Sequence, residues 1–407
     1  MTGIKKKPRI AVISPFLDRQ HGTERCVVEQ LQGLADDFEF HVYSARIEGL
    51  DLDKIVWHRI PSIAGPHAAR YLWFFFANHI ARWVDRNFRG ATYDLVYSPG
   101  INCLDAQLIA VHIVFAEFRQ RVGETLRFRR NPRSFWPRLL HRKVFYRLII
   151  SLERRIYKRR DLPLVAVSNK VRDDLRRFYG REQNLFVVYN GIDAKKFSPA
   201  VRQSLRANAR DTLGYSSSDF VMLLIGNDWN KKGLPCLLEA AGRLQQPRLK
   251  ILVAGSDDRS PFQSLLEQLS LASSVQFVSP RPDTEFFYAA ADAYTGPSME
   301  DAFGIPPLEA MACALPVIVS RQSGISELVT HGEDGYIVEN PQRPEELVTL
   351  IAKLYENTEL GQRLGRKAAE TALRYTWDRN VRELRGILLQ TLAKTNLVEA
   401  SSLQQDA

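Results

Sequence analysis

The sequence predicts an α/β protein with two consecutive doubly wound units, each a parallel sheet covered by helices on both faces. Short apolar runs alternate with stretches of helical spacing, which is the pattern that such sheets produce. The pattern is interrupted at the turn signal Asn190-Gly191 and then begins again. The length of 407 residues suits two or three domains, since one domain usually contains about 100–200 residues.

The first predicted unit begins with the apolar run Arg9–Ser14, a strand candidate. Behind it, the helix candidate Thr23–Ala35 places Val27, Leu31 and Leu34 on one helix face. Further apolar runs predict the remaining strands: Phe38–Tyr43, Ile55–Arg59, Asp94–Tyr97, Gln107–His112, Leu164–Ser168 and Leu185–Tyr189. Helical stretches separate several of these strands, so we expect them to pair in parallel.

The second predicted unit repeats this alternation. Its strand candidates are Phe220–Ile225, Leu249–Ala254, Val275–Val278, Ala293–Thr295 and Pro316–Val319. Helices are predicted between them, at Leu234–Leu244, Pro261–Ser270, Asp283–Ala290 and Pro306–Cys313. We expect ligands to bind outside the carboxyl ends of these strands, in a cleft between the two units.

These patterns divide the chain into four segments. We expect a first unit over residues 1–195, with a basic insert at 113–160, and a second unit over residues 196–376. A final helix is expected over residues 377–396. The tail over residues 397–407 is polar, and we expect it to be disordered.

The net charge of +10 is concentrated in one segment of the chain. Residues 119–160 hold fifteen Lys or Arg and two acids, so this segment carries +13 and the rest of the chain carries −3. One interpretation is a solvated helical face. The other is a binding surface for phosphate groups of a membrane or an anionic acceptor. The arginines assigned to that surface are Arg129, Arg130, Arg133, Arg142 and Arg147.

Within this segment, Pro137–Arg160 has the pattern of an amphipathic helix. Apolar residues recur every four positions, at Leu140, Val144, Leu148, Leu152 and Ile156, and basic residues flank them. Such a helix can lie on an anionic membrane surface. Alternatively, it docks on its own domain and presents a basic outer face.

Several classes of protein are excluded by composition. The four cysteines lie far apart without a CxxC pair, which excludes a disulfide scaffold and a zinc ribbon. The longest stretch without charged residues has 13 residues, whereas a spanning helix needs about 20 apolar residues. The apolar run after Lys5–Lys7 is too short for a signal peptide. No nucleic-acid motif accompanies the basic segment, so we expect no nucleic-acid partner.

The stretch Gly296–Ser320 contains the most informative pattern. An apolar strand ends there, and the loop that follows presents Glu300 and Asp301. A helix begins after Phe303-Gly304-Ile305, and its early turns carry Glu309. Backbone N–H groups at such a helix start attract anions, and carboxylates accept hydrogen bonds from sugar hydroxyls. These features predict a nucleotide-sugar pocket.

This stretch resembles the donor-site signature of glycosyltransferase family 4, in which two glutamates with seven residues between them bracket Phe-Gly-Leu-Pro. Phe303, Gly304, Pro306 and Glu309 match it, while Asp301 stands where the family has the first glutamate. The one-methylene-shorter side chain reduces the reach of this carboxylate. Glu300 beside it is an alternative ligand.

Other segments resemble the same family. Lys232 matches the lysine that neutralises the diphosphate, whereas Asn227 occupies the position of a family arginine, and Lys231 could compensate. His112 matches a histidine that faces the transferred sugar, and Gly22 lies in the first glycine-containing loop. Tyr375–Arg379 resembles the start of a final helix that crosses back to the first domain. The segment 115–160 resembles, more loosely, the lipopolysaccharide-core glucosyltransferases of the family.

The resemblance implies the GT-B architecture, with two Rossmann-like domains facing a cleft. It implies retaining transfer of a hexose from a nucleoside-diphosphate sugar, linked to UDP or GDP, to a glycan or lipid-linked acceptor. The implied catalytic residues are Lys232, Asp301 and His112, and the implied donor-binding residues are Gly22, Asn227, Phe303, Gly304, Ile305 and Glu309. We expect a place in cell-envelope polysaccharide synthesis, in the cytoplasm at the inner face of the membrane.

Two other functions remain open at this point. A sugar-nucleotide epimerase could use the same architecture, but it would not need a basic insert. A degenerate transferase that acts as a membrane-surface scaffold would fit the departures at Asp301 and Asn227. We expect no metal cofactor, because the Asp51-Leu52-Asp53 pair lies far from the donor stretch and is typical of a solvated turn.

Overall fold

The computed structural model describes residues 7–125 and 136–405. The chain forms two compact units. The N-terminal unit comprises Met1–Tyr189 and Trp377–Ala407, and the C-terminal unit comprises Asn190–Thr376. The division therefore falls at 189/190 rather than at the predicted 195/196. The reason is that Ile192 pairs with Thr376 and its N–H donates to Tyr375 O at 3.0 Å, which fixes residues 190–195 in the C-terminal unit.

The N-terminal unit is built on a parallel sheet. Its strands are β1 (Arg9–Ile13), β2 (Phe16–Leu17), β3 (Glu39–Ser44), β4 (Arg46–Ile47), β5 (Ile55–Arg59), β6 (Leu95–Pro99), β7 (Leu108–Val111), β8 (Leu164–Ala166) and β9 (Leu185–Val187). Within the described residues, seven of them pair in the order β5-β3-β1-β6-β7-β8-β9, and β2 pairs separately with β4. In this register, Val12 lies opposite Val42 on one side and Tyr97 on the other.

Helices cover this sheet. They are α1 (Gly22–Leu34), α2 (His67–Phe88), α3 (Phe115–Thr125), α4 (Trp136–Tyr157) and α5 (Asn169–Tyr179). The prediction of a helix over Pro137–Arg160 is confirmed by α4, whereas α2 was not predicted. Buried Val27, Val28 and Leu31 of α1 pack on the strand residues Ile10 and Val12, so the predicted apolar face of α1 forms part of the core.

The C-terminal unit repeats the design. Its strands are β10 (Phe220–Ile225), β11 (Leu249–Ala254), β12 (Val275–Val278), β13 (Ala293–Gly296), β14 (Val317–Ser320) and β15 (Tyr336–Val338), in the order β12-β11-β10-β13-β14-β15. The helices are α6 (Pro199–Leu213), α7 (Leu234–Leu244), α8 (Gln263–Gln268), α9 (Glu285–Ala290), α10 (Ile305–Ala312), α11 (Pro344–Glu356) and α12 (Thr358–Ala372). All strand pairs of this sheet are parallel.

The last helix, α13 (Trp377–Gln405), returns to the N-terminal unit, as predicted. Buried Leu384 and Leu388 join the core of that unit, and Gln30 of α1 donates to Asn380 Oδ1 at 3.0 Å. The helix continues to Gln405, beyond the predicted end at residue 396. The segment is polar, but it contains no Gly or Pro that would end a helix.

Both sheets have a topological switch point. Numbered along the chain, the strands of each sheet follow the order 3-2-1-4-5-6, with a seventh strand in the N-terminal unit. Ligands of such sheets bind at the carboxyl ends of the first and fourth strands, where the order reverses. In this protein these positions are the ends of β1 and β6 in one unit and of β10 and β13 in the other.

A search of the helices for a membrane span gave no candidate: among the described residues, none is long and apolar enough to cross a bilayer.

Candidate functional site

Two loops meet at the switch point of the C-terminal unit. The first joins β10 to α7 and carries Lys232, and the second joins β13 to α10 and carries Asp301. Lys232 Nζ donates to Asp301 Oδ2 at 2.5 Å. Sequence reasoning assigned these two residues to one site from separate motifs, and the structure brings them into direct contact.

The contact depends on a close approach of the two backbones at Gly233. Its φ is +83°, and a Cβ atom built there would lie 2.0 Å from Pro297 O. Any other residue would therefore push the loops apart. Beside it, the Met299 N–H donates to Lys231 O at 2.8 Å, which ties one loop to the other through the backbone.

A second ion pair lies next to the first. Lys231 Nζ lies 3.3 Å from Glu300 Oε2, and the Glu300 side chain is buried. Burial disfavours the charged forms of Lys231 and Asp301, but the opposite charges beside them have the larger effect. Glu300 and Asp301 raise the pKa of Lys231, and Lys232 and Lys231 hold the pKa of Asp301 below its ordinary value. The Glu300 carboxylate and the Lys231 ammonium thus partner each other in this structure.

The Asp301 loop is fixed by the segment that follows β14. Asp301 N–H donates to Gln322 O at 3.1 Å, and Gly324 N–H donates to Asp301 O at 3.0 Å. Ser323 Oγ donates to Phe303 O at 3.0 Å. This supporting segment was not predicted, although the Gln-Ser-Gly turn after an apolar strand is a signal that could have located it.

Helix α10 begins directly after this loop. Gly304 caps it with a φ of +96°, a conformation that favours glycine. The first four N–H positions of a helix lack partners within the helix, and prolines at 306 and 307 remove two of these donors. The N–H groups of Gly304 and Ile305 are therefore the donors that the helix start retains. Phe303 is 2% exposed, so its ring contributes to the core and not to an open surface.

Glu309 lies on α10 with its side chain buried. Its Oε2 accepts a hydrogen bond of 2.7 Å from the hydroxyl of Tyr288 on α9. Burial first, and then the Glu309 charge, raise the pKa of Tyr288 well above its ordinary value, so the hydroxyl keeps its proton and remains a donor. Tyr288 was not predicted. It orients the carboxylate that sequence reasoning assigned to the donor.

Asn227, which occupies the position of a family arginine, connects two loops. Its Oδ1 accepts from Ser256 N at 2.9 Å and from Ser256 Oγ at 3.0 Å, which joins the β10–α7 loop to the residues after β11. Trp229 in the same loop is buried, and its Nε1 donates to Gly226 O at 2.8 Å. These bonds anchor the part of the loop that precedes Lys232.

The two remaining predicted residues lie in the N-terminal unit. His112 directly follows β7, and its Nε2 is buried without a hydrogen-bond partner among the described residues. Burial lowers the pKa of His112 to about 4, so the imidazole is neutral at physiological pH. Gly22 is the exposed first residue of α1. The residue before it, His21, is held by Asp18, whose Oδ2 lies 2.9 Å from His21 Nδ1.

The basic segment is only partly described. Arg129, Arg130 and Arg133 lie outside the described residues, as does the side chain of Arg142, whereas Arg147 is exposed on α4. The buried face of α4 consists of Phe145, Ile149 and Ile156. Of the predicted stripe, Ile156 is buried and Leu148 and Leu152 are half-buried, whereas Val144 is 58% exposed and the side chain of Leu140 lies outside the described residues. The helix is therefore docked on its own unit, but through a face that matches the predicted stripe only in part.

Asp51 has a structural role. Its Oδ1 accepts from the Asp53 N–H at 3.1 Å and caps a short 3-10 turn at Leu52–Lys54. Both aspartates are exposed, as a solvated turn requires.

Comparison with known proteins identifies the family. The model described as "Glycosyltransferase Family 4" matches residues 21–196, and that described as "Glycosyl transferases group 1" matches residues 206–371. Together they cover most of both units. The chain belongs to glycosyltransferase family 4. Among curated relatives of this glycosyltransferase, D-inositol 3-phosphate glycosyltransferase of Corynebacterium urealyticum is 28% identical over 244 residues, which are 57% of each chain. The chain thus spans little more than half the length of that relative.

Solved structures show that the glycosyltransferase has the GT-B fold. WaaG, a glycosyltransferase involved in lipopolysaccharide biosynthesis, is 20% identical and has a TM-score of 0.75, with 92% of this chain and 98% of that chain covered. HepE of Anabaena, solved with UDP and glucose, is 19% identical with a TM-score of 0.71 and covers 94% of this chain and 100% of its own. These likenesses establish the fold and the family architecture.

Proposed function

We propose that this glycosyltransferase transfers a hexose, with retention of configuration, from a UDP- or GDP-linked sugar to a glycan or lipid-linked acceptor of the cell envelope. The contact between Lys232 and Asp301 is the observation that carries the proposal. A nucleotide sugar has a diphosphate on one side of its scissile bond and hydroxyls on the other. A cation and a carboxylate in contact at the switch point match this junction.

Lys232 stabilises the leaving group in this mechanism. Negative charge grows on the diphosphate as the bond to the sugar breaks, and preorganised donors aimed at such charge usually supply the largest catalytic contribution. An ammonium group has three N–H donors, so Lys232 can donate to a phosphate oxygen and still bond Asp301. The N–H groups of Gly304 and Ile305 add donors that carry no net charge.

The transfer itself needs no covalent bond to the protein. The bond between the anomeric carbon and the phosphate oxygen breaks, and the acceptor oxygen bonds to the same face of the sugar. The proton of the acceptor hydroxyl moves to the departing phosphate. The transition state resembles an oxocarbenium ion, as in glycoside hydrolysis. Asp301 accepts hydrogen bonds from sugar hydroxyls, and Glu309, oriented by Tyr288, accepts them from the ribose.

His112 is proposed to contact the transferred sugar. Its low pKa, caused by burial, keeps the ring neutral, so that one ring nitrogen can accept and the other can donate. A neutral imidazole adds no positive charge beside an oxocarbenium-like sugar. The activity of a His112→Asn variant, which retains one donor and one acceptor, should exceed that of His112→Ala.

The acceptor side of the proposal rests on the basic outer face of α4. Lys143, Arg147 and Arg154 are exposed on it, while the acid of the described helix, Glu153, is buried. Such a face suits an anionic, lipid-linked glycan at the inner face of the cytoplasmic membrane. The involvement of WaaG in lipopolysaccharide biosynthesis, as its name states, supports the same class of acceptor.

A panel of UDP-, GDP-, ADP- and CMP-sugars tests the donor. A ligand at 100 times its dissociation constant raises the unfolding free energy by about 2.7 kcal/mol, which a thermal shift detects. We expect one base to stabilise the protein and its sugar to be released slowly as a free hexose. Proton NMR of the transfer product then reports the anomeric configuration.

The remaining alternatives give different products. Interconversion of the donor sugar without transfer would indicate an epimerase, and donor binding without any turnover would indicate a scaffold. We expect EDTA to leave the activity intact, since Lys232 supplies the positive charge. Loss of activity that Mg²⁺ or Mn²⁺ restores would contradict this part of the proposal.

A further inference from the structure

Helix α2 of the N-terminal unit buries charged and polar residues and exposes large apolar ones. Its buried half contains Asn78, Arg82 and Asp85 beside Phe74 and Phe75. Its exposed half contains an aromatic stripe, defined as Trp73, Phe76, Ile80 and Trp83, whose side chains are between 42% and 63% exposed. The spacing of these positions places them on one face of the helix. A helix in contact with water alone would have the opposite distribution.

The buried polar groups fix this orientation. Arg82 forms two hydrogen bonds, of 2.6 and 2.8 Å, with the carboxylate of Asp105. Asn78 Nδ2 donates to Asn102 O at 3.0 Å, and Asp85 accepts from the hydroxyl of Tyr43 at 2.6 Å. Rotation of α2 to bury the stripe would break these bonds and leave charged groups without partners, at a large energetic cost. The stripe is therefore held outward.

The charges around the stripe are positive. The exposed charged residues of α2 and its C-cap are Arg70, Arg86 and Arg89, whereas the acid of this helix, Asp85, is buried. Helix α4 is a direct neighbour, since the ring of Phe145 lies 5.0 Å from that of His67 and 5.7 Å from that of Tyr71. Its exposed face adds further cations, while its large aromatic residue Phe145 is packed inward.

We propose that the aromatic stripe of α2 inserts into the headgroup region of an anionic lipid bilayer. A helix with Trp, Phe and Ile on one side and arginines beside them has the composition of an interfacial helix. Tryptophan favours this zone because its ring is apolar and its N–H is polar. A second copy of the chain would instead bring another set of arginines to a surface that is already positive.

This inference deepens the membrane part of the proposed function but rests on a different helix. The arginines and lysines of α4 attract the bilayer over a distance, and this attraction is screened by salt. The aromatic stripe supplies apolar contact, which salt does not screen. Helix α4 thus supplies the electrostatic attraction to the membrane, and helix α2 supplies the apolar insertion.

The test compares Phe76→Ser/Trp83→Ser with wild type in co-sedimentation with phosphatidylglycerol–phosphatidylcholine vesicles at low and high salt. We expect the double variant to lower the vesicle partition coefficient at least tenfold at both salt concentrations. Since both side chains are exposed, folding should be retained, and Ile80→Ser provides a milder variant with a smaller loss. Leu373→Ser, at a similarly exposed apolar position in the C-terminal unit, is the matched control and should bind like wild type.

Three results would overturn the inference. Wild type could ignore the vesicles, or the double variant could bind as well as wild type. The variant could also convert a dimer into a monomer in light scattering, which would show that a second copy covers the stripe. Donor hydrolysis without vesicles is measured in parallel and should be equal in wild type and variant. If donor hydrolysis is absent in both while vesicle binding depends on the stripe, the proposed function fails and this inference stands.

Discussion

Lys231 and Asp301 in the C-terminal unit and His112 and Glu153 in the N-terminal unit are all removed from water, with opposite results. In the C-terminal unit, ion pairing outweighs burial, so the pKa of Asp301 is lowered and that of Lys231 is raised. At His112 and Glu153 of the N-terminal unit, burial prevails. It lowers the pKa of His112 to about 4 and raises that of Glu153 to about 7, so both groups tend toward the neutral form.

The two switch points are also held together by different kinds of contact. In the C-terminal unit, two lysines of one loop face two acids of the other. In the N-terminal unit, the neutral amide of Asn102 closes the crevice, since its Nδ2 donates to Ile13 O at 3.0 Å and to Pro99 O at 2.7 Å. One sheet topology thus supports two electrostatic designs. The charged switch point suits a diphosphate. At the other, the strand ends are bridged by a neutral amide, and the Asp18 carboxylate of the following loop pairs with His21 and Arg46.

The largest expected effect is on the charged switch point. Lys232→Ala should lower kcat by about 100- to 1,000-fold, because removal of one preorganised donor to a developing oxyanion has an effect of this size. Donor affinity should fall much less, since charge on the diphosphate grows toward the transition state. Steady-state kinetics together with donor titration by calorimetry separate the two parameters.

The matched control is Lys195→Ala, an exposed lysine of the same unit, which should have no effect on either parameter. Equal losses in donor affinity and kcat/KM with an intact kcat would instead assign Lys232 to binding alone. That result would remove the functional reason for the contrast between the two switch points.

The second prediction concerns Glu153 of the N-terminal unit, whose neutral form is favoured by burial. Glu153 accepts hydrogen bonds from Phe115 N–H at 2.7 Å and Tyr179 Oη at 2.5 Å, yet burial holds its pKa near 7 against an ordinary value of 4.5. The folded protein therefore retains a proton that the unfolded chain releases. Because of this group, the free energy of unfolding should fall by about 3 kcal/mol as the pH rises from 4.5 to 7.

Urea unfolding of wild type and Glu153→Gln across this pH range measures the effect. The stability difference between the two proteins, wild type minus variant, should fall with rising pH and level off above about pH 7. Histidines with lowered pKa values, such as His58 and His112, have the opposite pH dependence, but they occur in both proteins and cancel in the difference. A flat difference curve would mean that Glu153 is ionised throughout, and that its three hydrogen bonds outweigh burial.

The third prediction addresses the close approach that creates the charged pair. Gly233 and Gly332 both have a φ of +83°, but a Cβ would lie 2.0 Å from Pro297 O at the first and in open space at the second. Gly332→Ala should therefore cost only the left-handed backbone strain of about 1–2 kcal/mol. Gly233→Ala should cost about 2 kcal/mol more, because the two loops must separate.

Thermal unfolding measures both costs, and donor titration shows whether the loops still form the site. We expect Gly233→Ala alone to weaken donor binding. If the two alanine variants lose equal stability and both bind the donor normally, the contact between the loops does not position Lys232 against Asp301.

Physical reasons explain why some elements of the fold were predicted from the sequence and others were missed. Strand β10 is a wholly apolar run and β11 is apolar except for Lys250, as in a buried parallel sheet, and the predicted bounds match the observed ones. Helix α2 was missed because apolar residues occur on both of its faces and its buried half also contains Asn78, Arg82 and Asp85, so no single apolar stripe emerges. Strand β15 was missed because it has only three residues, Tyr336–Val338, which is too short for an alternating pattern to emerge.

The residues of the candidate site also divide into those that the sequence indicated and those that it did not. Lys232, Asp301 and Glu309 were located because local motifs carry them. Tyr288, which orients Glu309, comes from another helix, and no spacing rule connects the two positions. The pairing of Lys231 with Glu300 was also hidden, since sequence reasoning treated each as a substitute for a different missing group. Contacts between loops that are distant in the chain depend on the sheet order, which the sequence indicates only in outline.

The last and smallest effect compares two asparagines, one at each switch point. Asn102 is buried and donates to two strand-end carbonyls, whereas Asn227 is exposed and accepts from the N–H and hydroxyl of Ser256. Asn102→Ala should lower the unfolding free energy by about 2 kcal/mol, because it leaves buried carbonyls without a donor. Asn227→Ala should cost about 1 kcal/mol less, since water can replace the lost bonds. Urea unfolding of both variants checks the difference. Asn227→Ala could instead lower the free energy of unfolding more than Asn102→Ala. The loop that carries Lys232 would then depend on this neutral hydrogen-bonded contact as much as on its ion pairs. That result would contradict the distinction between a charged and a neutral switch point.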